Sequence, residues 1–289
     1  MKIRLLALAL APITMVACFP DVVTEVETAP PEPTLAATPT ADQQGNNSVD
    51  LEGTWGYKTV LTQYVENAFD STVYDLQTVT SYYVLEHTQG SSETEVIQEA
   101  EICLTDLSEV SGSLAILDEG FYVATGVTTQ TATLSDTGVG ATYVVPESIS
   151  LRGVNLSSDT GVMPTADDPD TDCDRVEDGY MSSEGVYDYD NNGSQGFTTY
   201  VDGAVNANLW TIERLTIGLT GTVFSADSIQ GGIDGLLEDV FICSTKPGLV
   251  STAVDIYPEE GYTANFFVMT RMEDGSTCSD VLSQKDSLF

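Results

Sequence analysis

Along Val79–Glu86 the side chains alternate, with Val79, Ser81, Tyr83 and Leu85 on one side and Thr80, Tyr82, Val84 and Glu86 on the other. A period of two among β-branched and aromatic residues predicts a strand. Tyr262–Met272 repeats the pattern, and Phe121–Leu134 is rich in Val and Thr without the stripe a helix needs. Further strands are predicted over 55–65, 94–104, 141–151, 197–205, 207–224, 237–243 and 249–257, and only Leu236–Val240 admits a helical turn or two. In Trp210–Leu219 the apolar residues Trp210 and Ile212 give way to Leu215, Ile217 and Leu219, so parity slips by one at Glu213-Arg214. Either a β-bulge or a junction of two strands accounts for the slip. The fold class is all-β, an antiparallel β-barrel or β-sandwich, with residues 53–289 as one β domain interrupted by an acidic loop over 157–196.

The N-terminus follows another grammar. Lys2 and Arg4 precede the apolar run Leu5–Val16, which is too short for the roughly 20 residues of a membrane-spanning helix and contains Pro12. A basic start, a short apolar core and a small residue before the cut mark an export signal over residues 1–17. Met15-Val16-Ala17-Cys18 resembles the lipobox of bacterial lipoproteins, with Met where Leu is usual. That resemblance implies acylation of Cys18 and attachment to a membrane. Phe19 rather than Asp after the cysteine implies the outer membrane of a bacterial cell envelope. Residues 18–52 then read as a disordered tether, because Pro20, Pro30, Pro31, Pro33 and Pro39 alternate with small and polar residues. Such a composition buries too little surface to offset its ordering entropy.

Cysteine usage fits export. With Cys18 acylated, Cys103, Cys173, Cys243 and Cys278 remain, an even set suited to two disulfides in an oxidising compartment. Three connectivities are open.

Charge narrows the partners. Asp and Glu number 45 against 9 Lys and Arg, a formal net charge of −36. A surface this negative repels nucleic acid and anionic lipid. The acidic residues are densest at Asp167–Asp178, closely followed by Asp188-Tyr189-Asp190-Asn191-Asn192-Gly193-Ser194. This second segment fits the D-x-[DN]-x-[DN]-G opening of calcium loops, in which alternate oxygens converge on one ion and Gly permits the turn. By that pattern Asp188, Asp190 and Asn192 bind Ca2+ through side chains and Ser194 through its carbonyl. Thr199 at the twelfth position and the lack of flanking helices exclude an EF-hand.

Gly53-Thr54-Trp55 at the start of the first strand resembles the G-x-W signature of lipocalins and related calycin barrels. The resemblance implies that Trp55 closes one end of a barrel, that Arg271 in the last strand packs over it, and that the interior holds a small apolar ligand. Catalytic motifs are sparse by comparison. His87 is the single histidine, no G-x-S-x-G elbow accompanies it, and neither zinc-site spacing nor a Gly-rich phosphate loop occurs. The reading is a tethered binding lipoprotein without catalysis. The alternatives are a calcium-stabilised structural or adhesive surface protein and a carboxylate-dependent secreted hydrolase. Replacing the acylated residue, Cys18→Ser, is expected to move the protein from the membrane pellet to the soluble fraction; retention in the pellet would refute the anchor.

Overall fold

The computed structural model describes residues 48–67, 70–110, 112–164, 185–203, 206–246, 256–258 and 265–289. Cys18, Cys173, the Asp167–Asp178 cluster and almost all of the 1–52 segment lie outside them. The strands are β1 (Gly53–Asn67), β2 (Asp70–Gln89), β3 (Glu95–Leu107), β4 (Ser113–Leu117), β5 (Val127–Leu134), β6 (Thr142–Arg152), β7 (Phe197–Gly203), β8 (Ala207–Ser225), β9 (Ser228–Ser244), β10 (Ile256–Pro258) and β11 (Phe266–Arg271). Two helices accompany them, α1 (Glu119–Thr125) and α2 (Cys278–Leu288).

All these strands belong to one antiparallel eleven-stranded sheet. Following the ladders, β1 pairs with β2, β2 with β3, β3 with β5, β5 with β6, β6 with β8, β8 with β9, β9 with β11, and β11 with β1 again. These eight strands thus form a ring in up-and-down order, a barrel whose closure removes the exposed edges of an open sheet. Its thinnest seam is β5–β6, paired only at Thr133↔Val144 and Leu134↔Tyr143. Side chains reinforce that seam, since Gln130 of β5 accepts from Gln98 of β3 (2.8 Å) and donates to Ser148 of β6 (2.7 Å). β7 continues along the β8 edge beyond β6, with β4 outside it, and β10 continues along the β1 edge beyond β11. Both extensions lie at the end where β1 finishes and β8 begins, called here the upper end.

Helices stand where strand or loop was expected. Glu119–Thr125 is α1, started by the Asp118 carboxylate, which accepts from the Gly120 N–H (2.8 Å). α2 begins with a capping box in which Asp280 accepts from the Thr277 backbone N–H (2.8 Å). Leu236–Val240, the one stretch allowed a helical turn, is ordinary β9 strand. α2 lies on the outside of β2 and β3. Its first residue, Cys278, forms a disulfide with Cys103, and Lys285 reaches Asp106 at 3.3 Å. The register explains how Cys103 reaches outward: Tyr82 pairs with Leu104 and Tyr83 with Ile102, so Cys103 is the extra residue of a bulge. Cys243 is also disulfide-bonded.

The lower barrel is solid. Trp55, Leu85, Tyr143, Phe267 and Met269 are fully buried there within one core cluster. Gly221 and Gly231 pair across β8 and β9, and a Cβ on either would stand 2.6 or 2.7 Å from the Phe267 ring, so the ring can lie against bare backbone. His87 is buried in the same layer. Its Nε2 lies 3.2 Å from the Tyr143 hydroxyl, which donates to Gln98 (2.6 Å). Burial pushes the His87 pKa down to about 3, against the opposing pull of the Leu51 carbonyl. The folded imidazole is therefore neutral, while the unfolded one gains a proton below pH about 6.5. Stability falls as pH drops from 6.5 toward 3. Between pH 7 and pH 4 this residue is expected to remove about 3 kcal/mol. Urea denaturation at both pH values should show that loss in wild type and not in His87→Asn; equal losses would overturn the assignment.

Candidate functional site

The upper barrel differs from the lower in what it contains. Thr211, Glu213, Leu215 and Ile217 point inward from β8, and Leu237, Asp239 and Phe241 point inward from the paired stretch of β9. Together with β1, β2, β3 and the β4–α1–β7 cover they enclose a cavity of about 130 Å³. The cover is held by Phe121 of α1, which packs at 5.0 Å against Phe197 of β7 and lines the cavity. Most of the wall is aliphatic or aromatic.

Three charged residues interrupt that wall. Arg152 ends β6 and forms an ion pair with Glu213, and its guanidinium lies 5.0 Å from the centre of the Phe121 ring. Glu213 and Asp239 are register partners on β8 and β9, and their side chains hydrogen-bond. Burial, then repulsion by Glu213, raises the Asp239 pKa well above the usual carboxylate range, although Arg152 pulls it down. Burial beside Glu213 thus favours the protonated form of Asp239, which can donate to the Glu213 carboxylate. A buried ion pair is tolerated when its remaining hydrogen-bonding capacity is met. Here it is only partly met: Asp239 Oδ1 and Thr211 Oγ1 are both buried without a hydrogen-bond partner. Glycosidase carboxyls stand about 5–9.5 Å apart with substrate or water between them. Glu213 and Asp239 are instead cross-strand register partners whose carboxyls interact with each other.

The parity slip in β8 has a simple origin. The strand is continuous and pairs without interruption at Glu213 and Arg214, so neither a bulge nor a junction lies there. Trp210 and Ile212 face outward and are covered by a second layer containing Val154, Met163, Val186 and Ile242. Glu213 occupies an inward place between Thr211 and the apolar Leu215 and Ile217. Arg214, on the outer side, grips this covering layer by donating to the Gly161 carbonyl (2.6 Å). The nearby irregularity in pairing belongs to β9, where Ile242 is the extra residue between the partners of Trp210 and Thr211.

Other residues singled out from sequence lie elsewhere. Trp55 and Arg271 are cross-strand partners at the lower end, with the guanidinium carbon 4.7 Å from the indole centre. Arg271 also donates to the carbonyls of Asp50, Glu52 and Ala226, tying the chain entry and the β8–β9 turn across the base. In the acidic loop, Asp188 accepts from the N–H groups of Asn192 (3.2 Å) and Gly193 (2.8 Å). Asp190 Oδ2 accepts from Thr198 N–H (2.7 Å) and from the Asn192 side chain (2.9 Å), and Ser194 N–H donates to Asn192 Oδ1 (3.0 Å). Asn191 takes φ 56°, and Gly193 takes φ 90°. Asp190 is only 6% exposed, and its Oδ1 has no partner. Among the described residues, no group of three or more His, Cys, Asp or Glu side chains is arranged to hold a metal ion.

Arg152, Glu213 and Asp239 were not singled out from the sequence. The available signal was Glu213 within the alternating row Thr211, Leu215, Ile217, an inward position that polar residues avoid unless paired. No family model matches the chain, and no curated protein matches it significantly.

Proposed function

We propose that the protein is a membrane-tethered, non-catalytic binding lipoprotein of the bacterial cell envelope, anchored at Cys18 in the outer membrane, whose barrel holds one small, largely apolar ligand. The observation that carries this reading is the cavity between β8, β9 and the β4–α1–β7 cover. A barrel of about eight strands is either filled by side chains or holds one small ligand. A dry cavity of about 150 Å³ admits benzene, so a space of about 130 Å³ suits a single ring or a short aliphatic chain. The solid base with Arg271 stacked on Trp55 supports the lipocalin-like comparison, in which one end is plugged and the other receives the ligand.

The test uses full-length protein with indole or toluene as the probe. Binding is expected to raise the melting temperature and to saturate at one ligand per chain. Ala115→Phe, which fills the cavity from β4, is expected to raise stability without ligand and abolish the ligand effect. A barrel that neither binds these probes nor carries an extractable small molecule in native mass spectrometry would refute the reading.

A second reading concerns Ca2+ at Asp188, Asp190, Asn192 and Ser194, alone or in support of a structural or adhesive role. Asp190 Oδ1, buried and unpartnered, favours it. Outside the cytoplasm a site with a dissociation constant of roughly 10⁻⁴–10⁻³ M would be filled. Millimolar Ca2+ is expected to raise the melting temperature of wild type but not of Asp190→Asn. No response to Ca2+ or to EGTA would remove calcium from both readings.

A further inference from the structure

We infer that the barrel ligand carries a protonated amine, seated against Asp239 and Thr211 with its hydrocarbon part among the upper apolar side chains. This rests on the binding reading above and names the chemistry of that same cavity.

The charge count around the cavity is decisive. Arg152 is always protonated and is matched by Glu213 in a direct ion pair. That leaves the Asp239 carboxyl as a second acid without its own cation. In the ligand-free barrel, burial and the neighbouring Glu213 favour the protonated form of Asp239, so that a proton stands in for the missing cation. Among the described residues the titratable groups facing this position are Glu213 from β8 and Arg152 from β6, with Tyr83 of β2 and Tyr189 beyond Arg152. No second basic side chain is among them.

An ammonium group resolves two features at once. It replaces the proton as the compensating charge, and its N–H donors match two acceptors that have no partner, Asp239 Oδ1 and Thr211 Oγ1. Thr211 is 2% exposed and lines the cavity, so its hydroxyl is removed from bulk solvent. A carboxylate ligand would face Glu213 and Asp239 with Arg152 already engaged. A bare metal ion needs about six or more oxygens, while Leu215, Ile217 and Phe241 beside the trio offer none. The protein's negative field also raises the local concentration of cations and speeds their approach.

The exchange balances simply. The Asp239 O–H bond breaks, the carboxylate keeps the electron pair and accepts an N–H hydrogen bond from the ammonium, and the proton leaves to buffer. No other bond is made or broken.

Titration calorimetry on the full-length protein at pH 7 tests this with three probes of one size: benzylamine, benzyl alcohol and benzoate. Benzylamine is expected to bind about tenfold or more tighter than benzyl alcohol, because its hydrogen bonds are charge-assisted, with benzoate weakest. Its heat should vary with the ionisation enthalpy of the buffer, reporting release of about one proton per amine bound. Asp239→Asn is expected to erase both the amine preference and the proton release, and a cooperative urea transition like that of wild type reports that the variant is folded. If benzyl alcohol binds as well as benzylamine to wild type, or if Asp239→Asn keeps the preference, the amine assignment is overturned and the cavity stands. If none of the three binds, the cavity reading falls with it.

Discussion

The backbone ladder between β8 and β9 is the constraint on which the rest depends. It joins the last part of an up-and-down sheet to strands that return to the first, so every ring strand finds two neighbours. Once the ring closes, alternation along each strand decides what is inside and what is outside, and no residue can change sides without a bulge. The bulges present are used accordingly. One turns Cys103 toward α2, another adds Ile242 beneath the outer layer, and a third accommodates Pro146 and Glu147 opposite Gly218. Proline cannot donate to a ladder, so a bulge is where a barrel strand tolerates it.

Closure also divides the interior in two. Below, aromatic and aliphatic side chains fill the space, with His87, Tyr143 and Gln98 linked among themselves. Above, the inward side chains surround a cavity, and the ion pair of Arg152 with Glu213 forms part of its wall. Both levels contain buried polar atoms without a partner, His87 Nδ1 below and Asp239 Oδ1 and Thr211 Oγ1 above. The upper ones border a cavity, which separates a structural network from a site with room for something else.

Much of the ring was legible in sequence because inward and outward faces differ wherever one meets core and the other solvent. Val79–Glu86 is of that kind, with Val79, Ser81 and Leu85 buried and Glu86 exposed. β8 was misread where both faces are covered, since Trp210 and Ile212 meet an outer layer and Thr211 and Glu213 meet the cavity. Alternation cannot distinguish two buried faces. α1 escaped notice because seven residues give no helical stripe and Phe121 serves the barrel as a strand residue would. α2 had a signal in Thr277 and Asp280, but the outward stapling of Cys103 that holds it depends on register. The upper trio was hidden for the same reason: Arg152, Glu213 and Asp239 are far apart in sequence and meet only through the β6–β8 and β8–β9 ladders.

The Arg271 clamp has a mechanical consequence. Any pull transmitted along the chain from its N-terminal side enters the barrel at Asp50–Glu52, whose carbonyls Arg271 holds. That load passes into β11, Trp55 and the solid base, where strands would have to shear many ladder bonds together before separating. The cavity lies at the opposite end, beside the β5–β6 gap and the α1 cover. Tension arriving at Asp50–Glu52 is thus borne by the end of the barrel that side chains fill, and the cavity lies off that path.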